Sequence, residues 1–331
     1  MWFLLLYTPA YPNRNFTPAP GANGLLIRAA RSNKDRSPEM NPAIIRGATL
    51  LVLSELIFSL LAALVKHLSE DYSNAQVVFL RNFVALLVLL PYLKWRGRLH
   101  FRINRIGFHL LRSTTGISSM YLYFFCLGVL PLGETTLLIQ TSPIWIPVIA
   151  YFWLKEEFKK SYLFAGLFGL LGVALVVRPT PSDFSPVVLL ALLGAMLGAG
   201  SRVTIRKMAS TETSNSIVLY FSLISSVITA VPAVLDWHPI ARSDWPLLLA
   251  LGLTAAAGQL LMTKAFMLAP SGRIGFWSYT QVVFAFLLGF LFWQETVHPM
   301  SIAGAICIVI AGLISTGYVS LWIQRLRHKS G

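Results

Sequence analysis

Charge is what this chain has least of. Only 12% of its 331 residues are Asp, Glu, Lys or Arg, against about 25% in an ordinary soluble chain. So small a supply cannot cover a water-soluble globule of this length. Cysteine is scarce too. Cys126 and Cys307 both fall in apolar runs, so a CxxC metal site and a disulfide framework are excluded and packing is their expected role. No Walker motif, zinc-ligand cluster, nucleophile elbow or dinucleotide fingerprint occurs, which argues against ATP-driven pumping by this chain alone and implies no cofactor and no metal. Acids are outnumbered, 13 to 27, giving a net charge of +14. That excess usually suggests nucleic acid, but here the basic residues only punctuate long apolar runs. Outer-membrane barrels are excluded as well, because their strands alternate over about ten residues.

Apolar length is what the chain does have, with 56% hydrophobic residues. A bilayer core takes about 20 apolar residues per helix. Such runs lie near 47–67, 76–93, 107–130, 133–154, 161–177, 187–205, 217–235, 245–268, 274–293 and 300–323. The expected fold is therefore an all-α membrane protein of ten transmembrane helices. Lys94, Arg96, Arg98, Arg102 and Arg105 share one connection, and Arg325, Arg327 and Lys329 share the tail. The connections of opposite parity hold only Arg178 and Arg242. Positive charge gathers on the cytoplasmic side, so both termini are expected there, and the expected location is a bacterial inner membrane.

Residues 1–39 stand apart. Trp2-Phe3-Leu4-Leu5-Leu6-Tyr7 is too short to span and lacks a basic n-region, while residues 8–39 are rich in Pro, Asn, Ser and Arg. Met40 directly precedes a well-formed helix start, Asn41-Pro42-Ala43. The expectation is an extension upstream of the true initiator, with an interfacial anchor as the alternative.

The remainder repeats. Lys66 and Asn74 recur as Lys207 and Asn215, Glu157 and Gly166 as Glu295 and Gly304, and the spacing from Cys126 to Pro131 as that from Ala265 to Pro270. One register with small indels carries all three matches, so the unit is a duplicated set of five helices. Five is odd, and the second copy must enter the membrane from the opposite face. Inverted repeats of this kind are widespread in secondary transporters, with the substrate site between the halves near the midplane. The expected layout is a first repeat over 40–178, a turn-rich linker over 179–186, a second repeat over 187–324 and a basic tail over 325–331.

The motifs also resemble a known family. Arg112 before a Gly/Ser-rich span, Leu130-Pro131-Leu132-Gly133-Glu134-Thr135-Thr136, Ser142-Pro143 and Leu154-Lys155-Glu156-Glu157 resemble the EamA repeat of the drug/metabolite transporter superfamily. Tyr279-Thr280-Gln281-Val282 and Trp293-Gln294-Glu295 answer in the second half. The resemblance covers roughly residues 44–323. Gln281 stands where the first copy has Pro143, a departure that resembles the S-adenosylmethionine-type and related metabolite carriers.

Ionisable groups inside a bilayer are costly unless they face a cavity or a partner. Glu55 lies about 12 Å into the first span at 1.5 Å per residue. It begins a helical stripe with Ser59, Ala62 and Lys66. Burial disfavours the charged carboxylate, which makes Glu55 a candidate proton carrier against the plainer reading of a hydrogen-bonded core acid. Arg112 heads a second stripe with Gly116, Ser119 and Tyr123. A permanently charged guanidinium there suits an anionic substrate or Glu55, against simple snorkelling. Arg81 matches an arginine that the resemblance implies. Pro143 and Pro147 are expected to break the fourth span near mid-depth, with Gln140 presented at the opening. Trp277, Tyr279 and Gln281 are the corresponding wall in the second half, against a packing role for the aromatic pair. Glu157 and Glu295 read as caps or loop anchors.

The leading function is secondary transport of a small polar organic metabolite, amino-acid-like in character, by rocking of the two halves. A membrane-embedded enzyme acting on a lipid or prenyl substrate is the alternative, but it would need paired acids or a metal cluster that the sequence lacks. The expected partners are the small-molecule substrate and the lipid bilayer, with a homodimer allowed and no nucleic acid.

Overall fold

A computed structural model of the chain describes residues 41–99, 103–129, 138–177, 187–293 and 299–318. The extension over 1–39, the Leu130–Thr136 motif, the linker, Gln294, Glu295 and the basic tail lie outside these residues. Ten α-helices of eight residues or more occur among the described residues: α1 (Pro42–Leu68), α2 (Asn74–Trp95), α3 (Ile106–Val129), α4 (Ser142–Ile149), α5 (Lys160–Val177), α6 (Val187–Met208), α7 (Ser214–Leu235), α8 (Trp245–Leu268), α9 (Thr280–Trp293) and α10 (Pro299–Thr316). Six stretches are long and apolar enough to cross a membrane by length and composition.

Helix starts follow local chemistry. Asn41 Oδ1 accepts from the Ala43 amide at 2.9 Å, with Pro42 in the first turn where its missing N–H costs nothing. Ser73 Oγ accepts from the Gln76 amide ahead of α2 and Thr213 Oγ1 from the Ser216 amide ahead of α7. These are corresponding positions of the two copies, and the hydroxyl cap recurs with a shift of one residue.

The packing repeats as well. α5 lies on α10 and α2 on α7, each helix against its own counterpart. α1 packs on α8 and α9, while α6 packs on α3 and α4; α2 meets α8 as α7 meets α3. Exchanging each helix for the one five places on leaves this pattern unchanged. Two sets of hydrogen bonds mark the ends. The α1–α2 connection meets the α7–α8 connection through Ser73 Oγ to the Asp236 carbonyl at 2.8 Å and a two-way bond between the Gln76 amide and the His238 backbone. The α2–α3 connection meets the α6–α7 connection through Asn104 Nδ2 to the Thr211 carbonyl at 2.7 Å. Since α2 separates these contacts, α1 ends at one end of the bundle and α6 at the other. The first helices of the two copies run in opposite directions.

The apolar surface faces outward. Leu163, Phe164, Leu167 and Phe168 on α5, Val227, Val231 and Val234 on α7, and Ile302 and Ile306 on α10 are all exposed, whereas Glu55, Arg81 and Arg112 are buried. That inside-out distribution fits hydrocarbon as the solvent.

The fourth span is interrupted, and Pro143 sits in the first turn of α4, which begins at Ser142. The interruption falls just before, at the Gln140–Thr141 turn. Pro147 does lie inside the helix, which then widens into a π turn over Ala150–Leu154 and stops at Lys155, whose φ is +57°. A proline in a first turn has no helical N–H to remove, so the effect falls one step upstream and one downstream of the expected bend.

Candidate functional site

Glu55 is the natural starting point, at the midpoint of the 27-residue α1. It is fully buried, and neither carboxylate oxygen has a hydrogen-bond partner among the described residues. The Arg202 guanidinium on α6 and the Ser278 hydroxyl are the polar groups that act on it. One turn on, Ser59 Oγ donates to the carbonyls of Glu55 and Gln281, at 2.9 and 3.0 Å, and so seats the start of α9 on α1. The expected stripe ends there, for Ala62 is exposed.

Arg112 on α3 is 2% exposed. Its Nη2 donates to Gln259 Oε1 on α8 at 2.7 Å, and its guanidinium carbon lies 3.7 Å from the centroid of the Phe221 ring on α7. Such a ring face attracts a cation and attracts it more strongly once water is removed. Ser201 Oγ donates to the Arg112 carbonyl at 2.9 Å, tying α3 to α6. The next residue, Arg202, donates to Ser142 Oγ at the start of α4 at 3.1 Å. Arg81 on α2 donates to Met120 Sδ on α3 at 3.5 Å. The charges of Arg81 and Arg202 both act on Arg112. Among the described residues, none of the three forms an ion pair with a carboxylate. Their partners are an amide, a hydroxyl, a thioether and an aromatic face.

One helical turn toward the start of α3 lies His109, also buried, with Nε2 3.7 Å from Glu212 Oε1. The same oxygen accepts from the Asn104 and Arg105 amides at 2.9 and 3.1 Å. At the opposite end Tyr72 donates to Asp244 Oδ2 and accepts from the Ala241 amide at 3.0 Å. The bond to Asp244 holds the Tyr72 phenol above its ordinary pKa. Each end of the bundle thus carries a hydrogen-bonded contact between two connections, one from each copy.

With this geometry in place, the family is decided by sequence: residues 45–178 and again 185–317 match the EamA-like transporter family. The chain belongs to that family. It is a multi-pass membrane protein and a transporter rather than an enzyme. The pseudopaline exporter CntI of Pseudomonas aeruginosa is 29% identical over 80% of this chain and 94% of its own length. The riboflavin transporter of Vibrio cholerae is 24% identical over 84% and 94%. The S-adenosylmethionine uptake transporter of Rickettsia prowazekii is 22% identical over 83% and 94%. Similarity is spread over several named cargoes and does not single out the S-adenosylmethionine branch. One protein crystal structure overlays with a TM-score of 0.70 over 84% of this chain and 99% of that one, at 18% identity, a likeness of fold alone.

Within this EamA-like transporter the expected residues separate into two groups. Glu55, Arg81 and Arg112 are buried between helices of both copies, and the Gln281 backbone abuts the Glu55 turn. Tyr123 shares the α3 stripe, and Gln140 is buried at the turn before α4. Tyr279 belongs elsewhere: it is fully buried among Tyr162, Ala165, Phe276 and Ile308, with its hydroxyl directed to the Gly166 carbonyl at 3.4 Å. A Cβ on Gly169 would lie 2.2 Å from its ring, so Tyr279 fills a notch that this glycine leaves in α5. Trp277 likewise packs on Gly312 of α10. Tyr279 packs toward the α5/α10 pair, whereas Trp277 is half-buried, packs also against the core between α1, α4 and α8, and has no hydrogen-bond partner for its indole Nε1 among the described residues.

The anchor expected of Glu157 is made by its neighbour. Glu157 is exposed and paired only with Lys159, whereas Glu156 accepts from the Ser271 and Gly272 amides at 3.3 Å each and from Arg206 Nε at 3.4 Å. Arg202, Gln259 and Phe221 went unnoticed in the sequence. Arg202 stands one turn before Arg206 and Lys207, where it reads as part of a basic helix end.

Proposed function

We propose that the protein is a secondary transporter of a small polar, amino-acid-like metabolite, working by alternating access between two inverted five-helix repeats with both termini in the cytoplasm of a bacterial cell. The bond from Arg112 in the first copy to Gln259 in the second carries this reading, because it joins the halves beside the buried Glu55 and Arg81 and the half-buried Arg202. Rocking of the halves makes and breaks such a contact. A guanidinium is the natural partner of a substrate carboxylate, and Glu55 that of a substrate ammonium. Opposite running directions of α1 and α6 support the inverted arrangement, and the paired connections at the two ends support alternate opening.

The protein alone in liposomes provides the test. Preloading with an amino-acid-like solute should drive uptake of the labelled solute from outside, and Arg112→Gln should abolish that counterflow. Counterflow absent for every such solute, in vesicles where the protein is folded, would defeat the reading.

A further inference from the structure

Among the described residues, the polar group between the copies holds three guanidinium charges, with Arg81 and Arg112 buried and Arg202 half-buried, and one carboxylate, the buried Glu55. The charges of Arg81 and Arg202 both act on Arg112, yet each of the three is held by neutral atoms: Met120 Sδ, Gln259 Oε1 with the Phe221 face, and Ser142 Oγ. Arg112 Nε has no hydrogen-bond partner, and Arg112 and Arg81 are 2% and 9% exposed. Buried cations in natural proteins are paired, because an isolated charge removed from water is strongly disfavoured. Glu55 answers one of the three at most. An amino-acid-like zwitterion with one carboxylate and one ammonium brings no net charge and leaves the excess as it was.

We infer that the cargo carries at least two acid groups, bound across Arg81, Arg112 and Arg202 with Gln259 and Phe221 as positioning residues that orient the Arg112 fork. This deepens the transport reading above and rests on it. A planar guanidinium held by an amide on one edge and an aromatic ring on its face keeps its remaining N–H groups in a fixed plane, the geometry that a carboxylate meets with two parallel bonds. Arg202, fixed on Ser142 at the start of α4, stands on the α4–α6 contact, and Arg81 reaches α3 from α2. A ligand bridging the three would touch three helices, α2 and α3 of the first copy and α6 of the second. Its negative charge would offset their mutual repulsion as the ends close.

A ladder of matched solutes tests this. Purified full-length protein in detergent is heated with succinate, its monoamide and its diamide, and with glutamate and glutamine, at equal ionic strength. The expected result is a rise in the unfolding midpoint with the two diacids that shrinks at least tenfold in apparent affinity for each acid converted to amide. Arg112→Gln should remove the rise. Gln259→Glu, which places a tethered carboxylate beside Arg112, should move the preference from two acid groups toward one while the protein stays folded; a purely structural role for Gln259 would not change cargo charge preference. Amides as effective as the acids, or no response to any member of the ladder, would overturn the inference. Counterflow of a mono-acid with Arg112 still required would leave the transport reading intact and defeat this one alone. Absence of all counterflow would defeat both.

Discussion

Arg112 and Gln259 meet at 2.7 Å inside the bundle, one on the third helix of the first copy and the other on the third helix of the second. The two helices correspond by repeat, yet the residues do not. A duplicated scaffold has here been given unlike side chains at its centre, so that the site is asymmetric although the packing around it is not.

Loss of this contact should be felt in stability as well as transport. Hydrogen bonds to charged groups contribute about 1.5–3 kcal/mol. Gln259→Leu leaves the Arg112 Nη2 without its acceptor, and a loss of about 2 kcal/mol on that scale is expected. Gln259→Glu should recover most of it, since the carboxylate accepts the same bond with a charge added. Thermal unfolding of both variants in detergent checks the order, and a Leu variant as stable as the parent would show that Arg112 finds another acceptor.

Close helix contact supplies a sharper test of packing. A Cβ on Gly172 would lie 2.7 Å from the Gly304 carbonyl oxygen and 3.0 Å from the Ile308 amide, both backbone atoms that cannot give way cheaply. Gly172→Ala should therefore force α5 and α10 apart and destabilise by about 1–3 kcal/mol. Gly200, in the middle of α6, has nothing within 4 Å of its hypothetical Cβ. Gly200→Ala should be neutral or stabilise by up to about 1 kcal/mol through helix propensity. Reversal of the two effects in unfolding measurements would mean the α5–α10 pair is looser than described.

Much of this was legible in the sequence, and the failures have physical causes. The spans and the duplication show because hydrocarbon demands long apolar runs and because the repeated Lys66/Asn74 and Lys207/Asn215 spacing is local. Glu55, Arg81 and Arg112 show because ionised groups in such runs are conspicuous. Arg202 did not, since six residues from the end of α6 it resembles a snorkelling cation; only the contact with Ser142 on α4 turns it inward. Tyr279 was misplaced for the converse reason. Its notch is made by Gly169, more than a hundred residues away, and no period along α9 reports it. Glu156 and Glu157 are adjacent acids of the same type, and the left-handed turn at Lys155 decides which of them faces the Ser271 and Gly272 amides.

The contacts at the two ends should open independently. Tyr72→Phe removes the bond to Asp244 and the acceptor of the Ala241 amide; Glu212→Ala strips the acceptor of Asn104 and Arg105. Each loss is worth about 1–2 kcal/mol, enough to shift a two-state population roughly tenfold. With Cys126 and Cys307 replaced by serine, a Ser73→Cys reporter should label faster in the Tyr72→Phe background. A Thr211→Cys reporter should label faster with Glu212→Ala. Should either variant expose both reporters equally, the connections would be structural staples and not separate closures.

Coupling is expected to rest on Glu55. Its carboxylate sits at the midpoint of α1, fully buried, with Arg202 and Ser278 acting on it and no hydrogen bond to either oxygen. Sealed from water, such a group must be protonated or paired with a cation. Opened to water at one end, it can exchange its proton. A carboxylate that alternates between these conditions as the halves rock is a proton carrier, and transport should then follow an imposed pH gradient. Glu55→Gln keeps the shape of the protonated acid and removes the titration. It should fold, bind cargo and sustain exchange, but lose accumulation driven by the gradient. Glu55→Ala should be worse on every count, because Ser278 and Arg202 then face an empty position in place of an oxygen. Liposomes containing the purified variants, with and without a pH gradient, separate the cases. Gradient-driven accumulation undiminished in Glu55→Gln would make Glu55 a neutral core acid and assign the driving force to some other ion or to the cargo's own gradient.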